Sequence, residues 1–511
     1  MPIEAGNYFG LSAASGKIYF GSYERSGMMP EAHGDNGFSL SVFNIEEEEV
    51  DEVGGGRIQG YGFSPDRKKM FVRKDGSFIV MDAGATSIPD DEGRVDMSGW
   101  RVEIDPKAEW RQILHEVWRN QRDFFYDPDM HGVDWEEVWE QYSELLPRIY
   151  NRNELNDVLR EMLGELCVGH AYIGGGDILG ARQIGFGSLG VDLLPHESGA
   201  YQITKILKGD KWGDEPESPV GSSMADVEVG EYIVAINNIP LEAGDNIYQR
   251  LIDKGGVEIL LSVNTEPEIH GSREIPVKAM GSEDGLRYFD WVRDRREYVD
   301  KLSNGKIGYI HLPDMMGMGL SMWGRMFASQ SRKKALLIDV RYNGGGFVAD
   351  MILSVLGQKI WAQGKAREGV VFNRPWTGFY GPKAVICNHE TGSDGETFSE
   401  GFMRLGMGEL FGTRTWGGWV GIHGWRPLMD RGFNTVPQST GWGAFDGKWL
   451  IEGPGVYPSM PIEDEPAKMI NGEDPQLEAT VKHLLGEIEE WQAPADIPAY
   501  PRKQIRIKHL R

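Results

Sequence analysis

The chain has 511 residues, of which 40% are apolar and 11% aromatic. This length and composition predict about three or four domains with sizeable cores and exclude a largely disordered protein. A net charge of −25, without any run rich in lysine and arginine, excludes the usual pattern of a nucleic-acid-binding protein.

Two features of the sequence predict a cytoplasmic protein. The two cysteines, Cys167 and Cys387, are too few and too far apart for a disulfide framework. The first residues show no basic segment followed by an apolar run, and no stretch of about 18 apolar residues could span a membrane. We therefore expect a reducing compartment and no membrane attachment.

Residues 1–99 are predicted to form short strands separated by turns, with Pro65 and Asp66 supplying one turn. The segment FSPDRKKMFV, residues 63–72, resembles a β-propeller blade motif. The region holds about two blades, which are too few to close a ring. The sequence leaves open whether the chain is a fragment or a form that has lost the rest of its propeller.

Residues 100–182 are predicted to form a small helical domain. Apolar residues recur at helical spacing from Trp110 to Trp118, and two later segments repeat the pattern. Asn153 is the predicted N-cap of the last helix. The domain ends with His170 and a run of glycines.

Residues 183–280 are rich in predicted strands, and their order resembles a PDZ domain. Residues 189–192, Leu-Gly-Val-Asp, stand where that family has its carboxylate-binding loop. Residues 230–237 match its G-D-x-I-x-x-I-N stretch, with Glu231 in place of aspartate. A helix is predicted over 248–256.

Strands and helices alternate in residues 281–490, which predicts an α/β domain. The predicted strands cover 305–312, 333–341, 383–389 and 409–415, and the predicted helices cover 322–330, 351–357, 395–406 and 477–488. Residues 491–511 hold three prolines and are predicted to form an extended tail. The expected fold is a multidomain α+β protein.

Ser393 is the candidate nucleophile. It follows a buried strand and a short loop, and it precedes the helix predicted near Gly395. Free N–H groups at a helix N-terminus favour negative charge, so the N–H of Asp394 would face a developing oxyanion. A serine at this position is also a common helix N-cap, and the residues alone leave both interpretations open.

Three further features are candidates for the same chemistry. Residues 342–347, Tyr-Asn-Gly-Gly-Gly-Phe, come just after a buried strand, and the three glycines 344–346 would let a backbone N–H approach a substrate closely. His170 is a candidate base, which a serine nucleophile needs at neutral pH. Glu452 is a candidate carboxylate for orienting the imidazole. In isolation each has an ordinary structural explanation: a strand-to-helix turn, a structural histidine and a surface acid.

Taken together, these features resemble the tricorn protease family. The resemblance rests on CVGHAYIGGG (167–176), IDVRYNGGGFV (338–348), NHETGSDGETFSE (388–400) and WLIEGPGV (449–456), and on the order of the regions. It implies a serine peptidase that forms an acyl-enzyme and needs no metal or other cofactor. The implied substrates are short peptides of the kind that proteasomes release.

The resemblance also implies the role of each residue. Ser393 would be the nucleophile, His170 the base and Glu452 part of its support, while the N–H groups of Asp394 and Gly346 would form the oxyanion hole.

Tricorn peptidases form hexameric rings, so the resemblance implies a homo-oligomer, with aminopeptidases acting downstream. The specificity acid of the family lies between the glycine loop and the nucleophile. Glu368 and Gln363 are the candidates for it in this chain.

One position departs from the family pattern. The family carries a second serine directly before the histidine, and this chain has Gly169 at that possible relay position. Without the hydroxyl, Glu452 must reach the imidazole directly or through a water molecule. Gly169 can also be explained by a left-handed backbone, which glycine adopts without strain.

Other interpretations fit the sequence less well. Tail-specific peptidases use a lysine after the nucleophile, and residues 412–418 hold none; no H-E-x-x-H motif is present. Cys167 is too near His170 in the chain to act with it, and Cys387 is typical of a strand core. A different class of function remains: a catalytically impaired scaffold whose PDZ domain binds peptide C-termini.

Overall fold

The structure of this chain is a computed structural model that describes residues 3, 6–23, 37–89, 92–178, 180, 184–209, 217–222 and 225–500. The chain divides into two compact units, residues 1–106 and 107–511. Of the predicted tail, residues 491–500 form neither helix nor strand, and residues 501–511 lie outside the described part. Within the described ranges, none of the helices has the length and apolar character needed to cross a bilayer.

The first unit is an antiparallel sheet whose six strands pair in chain order. The strands are β1 (Asn7–Ala14), β2 (Lys17–Tyr23), β3 (Phe38–Asn44), β4 (Val50–Phe63), β5 (Lys69–Lys74) and β6 (Ser77–Asp82). In β5 the side chains of Met70 and Val72 are buried, whereas those of Lys69 and Phe71 are exposed, as expected for a strand with one face on a core.

β4 makes the sheet continuous. Its first part pairs with β3 and its second part with β5, the two overlapping at Ile58. The predicted turn at Pro65 is confirmed, and the N–H of Ser64 closes it on the carbonyl of Lys69 at 3.0 Å. The six strands of the first unit form one sheet. The assignment of this sheet to about two propeller blades stays a prediction.

The second unit begins with helices packed around a shared apolar core. They are α1 (Pro106–Phe124), α2 (Trp135–Ser143) and α3 (Arg152–Gly164), with 3-10 helices at Met130–Gly132 and Leu146–Arg148, and the short strand β7 (Ile173–Gly174) follows. The predicted apolar face of α1 is buried at Ile113, Leu114 and Val117.

The predicted cap of α3 is wrong. Asn151, not Asn153, caps the helix, because its side chain accepts a hydrogen bond from the N–H of Glu154 at 3.0 Å. An N-cap residue needs an extended backbone just before the first helical residue, and Asn151 has φ −148° and ψ 166°. Asn153 already lies inside the helix.

The PDZ-like region is a sheet in the order β13-β12-β10-β9-β8, with β11 paired to β10. Its strands are β8 (Val191–Pro195), β9 (Tyr201–Ile206), β10 (Tyr232–Ile236), β11 (Ile239–Pro240), β12 (Glu258–Asn264) and β13 (Arg273–Lys278). The predicted helix over 248–256 is only a 3-10 helix, Ile247–Leu251. Left-handed φ angles at Asp253 and Gly256 stop it from continuing.

The last region is built on a parallel sheet in the order β14-β15-β18-β19-β24. Its elements are α4 (Asp284–Ser303), β14 (Ile307–His311), α5 (Gly317–Gln330), β15 (Ala335–Asp339), α6 (Ala349–Leu356), β16 (Ala362–Lys365), β17 (Val371–Arg374), β18 (Lys383–Cys387), α7 (Asp394–Arg404), β19 (Glu409–Gly412), β20 (Gly421–Ile422), β21 (Arg426–Pro427), β22 (Phe433–Asn434), β23 (Pro437–Ser439), β24 (Met460–Pro461), α8 (Pro466–Ile470) and α9 (Pro475–Glu490). All four predicted strands and all four predicted helices are present.

Candidate active site

Ser393 occupies a strained turn between β18 and α7. Its φ of 54° and ψ of −123° are unusual for a residue with a side chain, a conformation that costs about 1–3 kcal/mol and persists only where the surroundings enforce it. Its N–H donates to Oε2 of Glu396 at 3.0 Å. The turn places the half-buried Ser393 at the N-terminus of α7, as predicted.

The glycine loop lies directly against Ser393. Gly345 has a left-handed φ of 86°, and a β-carbon on it would lie 2.5 Å from the Cβ of Ser393. Gly346 has φ 150°, and a β-carbon there would lie 2.0 Å from the carbonyl oxygen of Met315. Only glycine fits at either position, so the loop sequence is dictated by its close approach to Ser393 and Met315.

The backbone N–H groups of the glycine loop differ in whether they have a hydrogen-bond acceptor. The N–H of Gly344 donates to a carbonyl oxygen at 3.1 Å, and that of Gly345 donates to Oδ1 of Asn343 at 2.9 Å. Among the described residues, the N–H groups of Gly346 and Asp394 have no acceptor. These are the two N–H groups predicted for an oxyanion hole.

Buried charges anchor the start of the glycine loop. The fully buried guanidinium of Arg341 pairs with Asp339 at 2.7 Å and with Asp474, the N-cap of α9, at 3.0 Å. The carbonyl of Arg341 lies 3.0 Å from Nε2 of His311, whose Nδ1 lies 2.9 Å from the hydroxyl of Tyr288. Burial lowers the pKa of His311, so a neutral ring donates to that carbonyl and accepts from the tyrosine.

His170 comes from the helical region, and strand pairing fixes its position. β7 pairs with β22, and β22 with β21, in a three-stranded sheet. Next to this sheet, the hydroxyl of Thr435 donates to the carbonyl of His170 and accepts from the N–H of Tyr172 at 2.8 Å. The backbone of His170 is therefore attached to the region that carries Ser393.

Trp416 lies between His170 and the turn that carries Ser393. Its indole ring packs edge-on against the imidazole, with 5.2 Å between ring centroids. The backbone N–H of Trp416 donates to the carbonyl of Thr391 at 3.0 Å. A β-carbon on Gly392 would lie 3.0 Å from the indole ring. Trp416 thus contacts both the imidazole and the residue directly before Ser393.

The imidazole of His170 is buried and favours its neutral form. Burial lowers the pKa of His170, and the nearby carboxylate of Glu452 partly opposes that shift. Its Nδ1 is buried and has no hydrogen-bond partner within the described ranges. In the part of the chain that the structure describes, no hydrogen bond joins the ring to Ser393 or Glu452.

Glu452 holds the backbone beside the imidazole instead. Its carboxylate accepts from the N–H groups of Gly169 at 2.7 Å, Trp419 at 2.6 Å and Val420 at 2.8 Å. The sequence left open whether Glu452 bonds to the imidazole directly or through a water molecule. Among the described residues, the carboxylate makes no direct hydrogen bond to the imidazole. The carboxylate thus binds the residue before His170 and, among the residues described, does not pair with Nδ1.

The left-handed explanation for Gly169 is wrong. Positive φ angles occur on either side of it, at Cys167 (48°) and His170 (59°), but not at Gly169 itself. A β-carbon at Gly169 would lie 3.1 Å from Cα of Gly418 and 3.3 Å from Oε1 of Glu452. Space, rather than backbone strain, therefore limits what this position can hold.

The two candidate specificity residues lie on a hairpin formed by β16 and β17. Gln363 is on β16, and its amide donates to Asn373 on the opposite strand at 3.0 Å. Glu368 is in the connecting turn with 90% of its side chain exposed, and its ion pair is with the neighbouring Arg367. Neither contacts Ser393 or His170 in the described part of the chain.

Glu396 was not among the predicted site residues, although its carboxylate is fully buried and accepts a hydrogen bond from the N–H of Ser393. A signal was present, because Ser393 and Glu396 have the S-x-x-E spacing of a capping box. Within the described residues, no group of three or more histidine, cysteine, aspartate and glutamate side chains is placed to hold a metal ion. A metal-free mechanism stays a prediction.

Family models match three consecutive segments of the chain. Residues 106–164 match the tricorn protease C1 domain, residues 187–282 the tricorn protease PDZ domain, and residues 306–462 peptidase family S41. The chain is 31% identical to tricorn protease homolog 1 of Streptomyces coelicolor, over 97% of this chain and 47% of that protein. It is 32% identical to the tricorn protease homolog of Saccharolobus solfataricus, over 95% of this chain and 45% of that protein.

The fold agrees with these matches. A crystal structure of the tricorn protease superposes with a TM-score of 0.84 at 29% identity, over 96% of this chain and 47% of that one. The chain belongs to the tricorn protease family. It spans about half the length of the curated relatives it matches, and its S41 segment contains both Ser393 and Glu452.

Proposed function

We propose that this chain is a serine peptidase that hydrolyses short peptides through an acyl-enzyme intermediate. The observation that carries the proposal is the setting of Ser393, in a strained turn packed against the glycine loop, where the N–H groups of Gly346 and Asp394 have no acceptor among the described residues. Such donors stabilise the oxyanion of acyl transfer, often the largest single contribution to its catalysis. Membership of the family and the S41 match support the same reaction.

The proposed reaction gives each of these groups one role. Oγ of Ser393 attacks the peptide carbonyl carbon while neutral His170 accepts the hydroxyl proton, and the carbonyl oxygen becomes an oxyanion held by the N–H groups of Asp394 and Gly346. Breaking the C–N bond leaves an acyl-enzyme, and His170 returns the proton to the leaving amine. Water then attacks the ester by the same route, which releases the acid and restores Ser393. Glu452 fixes the loop that carries His170.

The proposed function includes particular substrates, partners and a cellular location. The substrates are short peptides such as proteasome products, with aminopeptidases acting on what is released. The protein forms a homo-oligomer, and the hexamer is the expected form. The two free cysteines, Cys167 and Cys387, support a reducing cytoplasm. The candidates for the specificity pocket are Glu368 and Gln363; if Glu368 lines the pocket, cleavage beside Lys or Arg is favoured.

The scaffold alternative has less support. The loop that would bind a peptide C-terminus is already engaged, because the N–H of Gly190 donates to Oε2 of Glu283 at 3.2 Å. Leu286 is buried against the same loop, 3.1 Å from where a β-carbon of Gly190 would lie. The chain's own carboxylate thus occupies a donor that a peptide carboxylate would need.

Hydrolysis of short fluorogenic peptides by wild type and Ser393→Ala tests the proposal. If the catalytic residues act as a unit, kcat of the variant should fall by about 10⁶-fold. A variant that folds as wild type does and keeps its peptidase activity would exclude Ser393 as the nucleophile.

A further inference from the structure

Glu396 is a buried acid whose position in the fold is costly. Its side chain is fully buried in the first turn of α7, and burial raises its pKa. Removing a carboxylate from water is unfavourable unless hydrogen bonds replace the lost hydration. The hydrogen-bond donors that take the place of water around this carboxylate therefore indicate which parts of the chain it holds together.

Four donors from two chain segments converge on this carboxylate. Oε2 accepts from the N–H groups of Ser393 at 3.0 Å and Gly418 at 2.9 Å. Oε1 accepts from the hydroxyl of Thr415 at 2.6 Å and the N–H of Gly417 at 2.7 Å. One carboxylate thus ties the backbone of the nucleophile to the loop formed by residues 415–418.

The same loop continues to the base. The N–H groups of Trp419 and Val420 donate to Glu452, which also accepts from the N–H of Gly169, the residue before His170. A continuous series of hydrogen bonds and short backbone segments therefore runs from Ser393 through Glu396 and Glu452 to the base. Ser393 and His170 come from distant parts of the sequence, and no direct hydrogen bond between them is present in the described residues.

We propose that Glu396 is a positioning residue that sets the strained turn of Ser393 and its placement relative to His170. The inference rests on the proposed peptidase function. It requires the ionised carboxylate, because three of the four partners are backbone N–H groups, which can only donate, and the hydroxyl of Thr415 donates to Oε1 while it accepts from the N–H of Val456 at 2.7 Å. An amide at this position would direct its NH₂ group at donors on one side. The reacting groups would then be misaligned by a fraction of an ångström or more.

Glu396→Gln and Glu396→Asp test the proposal, with Glu231→Gln as a matched control. Glu231 is also a buried glutamate with a backbone N–H donor, but its other partner is Arg273 in the PDZ-like region. Peptide kinetics, thermal melts and the rate at which a fluorophosphonate modifies Ser393 would be measured for all four proteins.

We expect Glu396→Gln to lower kcat and the labelling rate by about 100-fold with little change in KM, since misplacing reacting groups by about 1 Å has an effect of that size. Glu396→Asp keeps the charge and should recover part of the loss. If the glutamine variant fails to fold, the aspartate variant carries the test, and its kcat and labelling rate should lie clearly below those of wild type. Glu231→Gln should lower the melting temperature while kcat stays within about twofold of wild type.

If Glu396 only stabilised the fold, its variants would differ from wild type in melting temperature and not in kcat. If Glu396→Gln, or Glu396→Asp when only that variant folds, melts earlier but keeps the wild-type kcat and labelling rate, the proposal is overturned. A wild-type protein that neither hydrolyses peptides nor reacts at Ser393 would instead contradict the proposed function, and this inference with it.

Discussion

At the scale of single residues, Nδ1 of His170 is the ring atom that a relay would serve, because it has no hydrogen-bond partner among the described residues. A relay needs a group between the imidazole and Glu452, and Gly169 offers only its backbone N–H, which the carboxylate already binds. A serine at 169 would place its β-carbon 3.3 Å from Oε1 of Glu452, so its hydroxyl would be close to that oxygen. The hydroxyl would supply the relay that the resemblance predicts at this position.

We expect the kcat of the Gly169→Ser variant to be several-fold higher than that of the Gly169→Ala variant. Both variants add the same β-carbon 3.1 Å from Cα of Gly418, so the neighbouring loop must shift slightly in each. Only serine adds a hydroxyl that orients the imidazole. Steady-state kinetics and thermal melts of the pair would measure this. Equal kcat values for the two variants would contradict a relay role.

The protonation of His170 predicts the pH dependence. Only neutral imidazole can accept the proton of Ser393, and burial lowers the pKa of His170. Activity should therefore persist as the pH falls below the usual histidine value of about 6.5 and be lost at a lower pH.

The measurement is the acid limb of kcat/KM against pH. Glu452→Gln should move its midpoint still lower, because the carboxylate raises the pKa of His170. A midpoint above about 6.5 in the wild type would mean that the imidazole titrates in a different environment.

At the scale of elements, the glycine loop offers a direct test of the site. Gly345→Ala would force a β-carbon to 2.5 Å from the Cβ of Ser393 on a left-handed backbone, whereas Gly344 has open space around its Cα. We expect Gly345→Ala to lower kcat by about 100-fold or more and Gly344→Ala to keep it within about twofold. Kinetics of both variants would decide, and equal activities would contradict the close approach of this loop to Ser393.

The elements of the last region could be predicted because their patterns are strong. Apolar runs such as residues 335–340 predict buried parallel strands, and Ser393 was placed at a helix N-terminus because it follows one such strand and precedes a helix. Its predicted role as the nucleophile came from the family resemblance. α4 was missed because ten of its 20 residues are charged, which obscures the apolar face formed by Leu286, Phe289, Val292 and Val299.

The rest of the site depends on contacts distant in sequence. Nothing near Glu396 in the chain shows that residues 415–418 will bond to it, and nothing near Glu452 shows that it will hold Gly169 rather than the imidazole. Such carboxylates are recognised only when the fold brings the donors together. The wrong cap at Asn153 has a local cause, since two asparagines two residues apart compete for one helix start.

At the scale of the whole molecule, the chain spans about half of its curated relatives, and self-association is part of the proposed function. We expect light scattering to show species several times the chain mass of 57.2 kDa. A single species of the chain mass at all concentrations tested would contradict the homo-oligomer.

The central claim is that Ser393 is a nucleophile activated by His170. Its most direct test is reaction of the whole protein with a fluorophosphonate, followed by mass spectrometry of the modified peptides. We expect modification at Ser393, none at that site in Ser393→Ala, and a much slower reaction in His170→Ala. Peptidase activity abolished by modification of another serine, with Ser393 unmodified, would contradict the account.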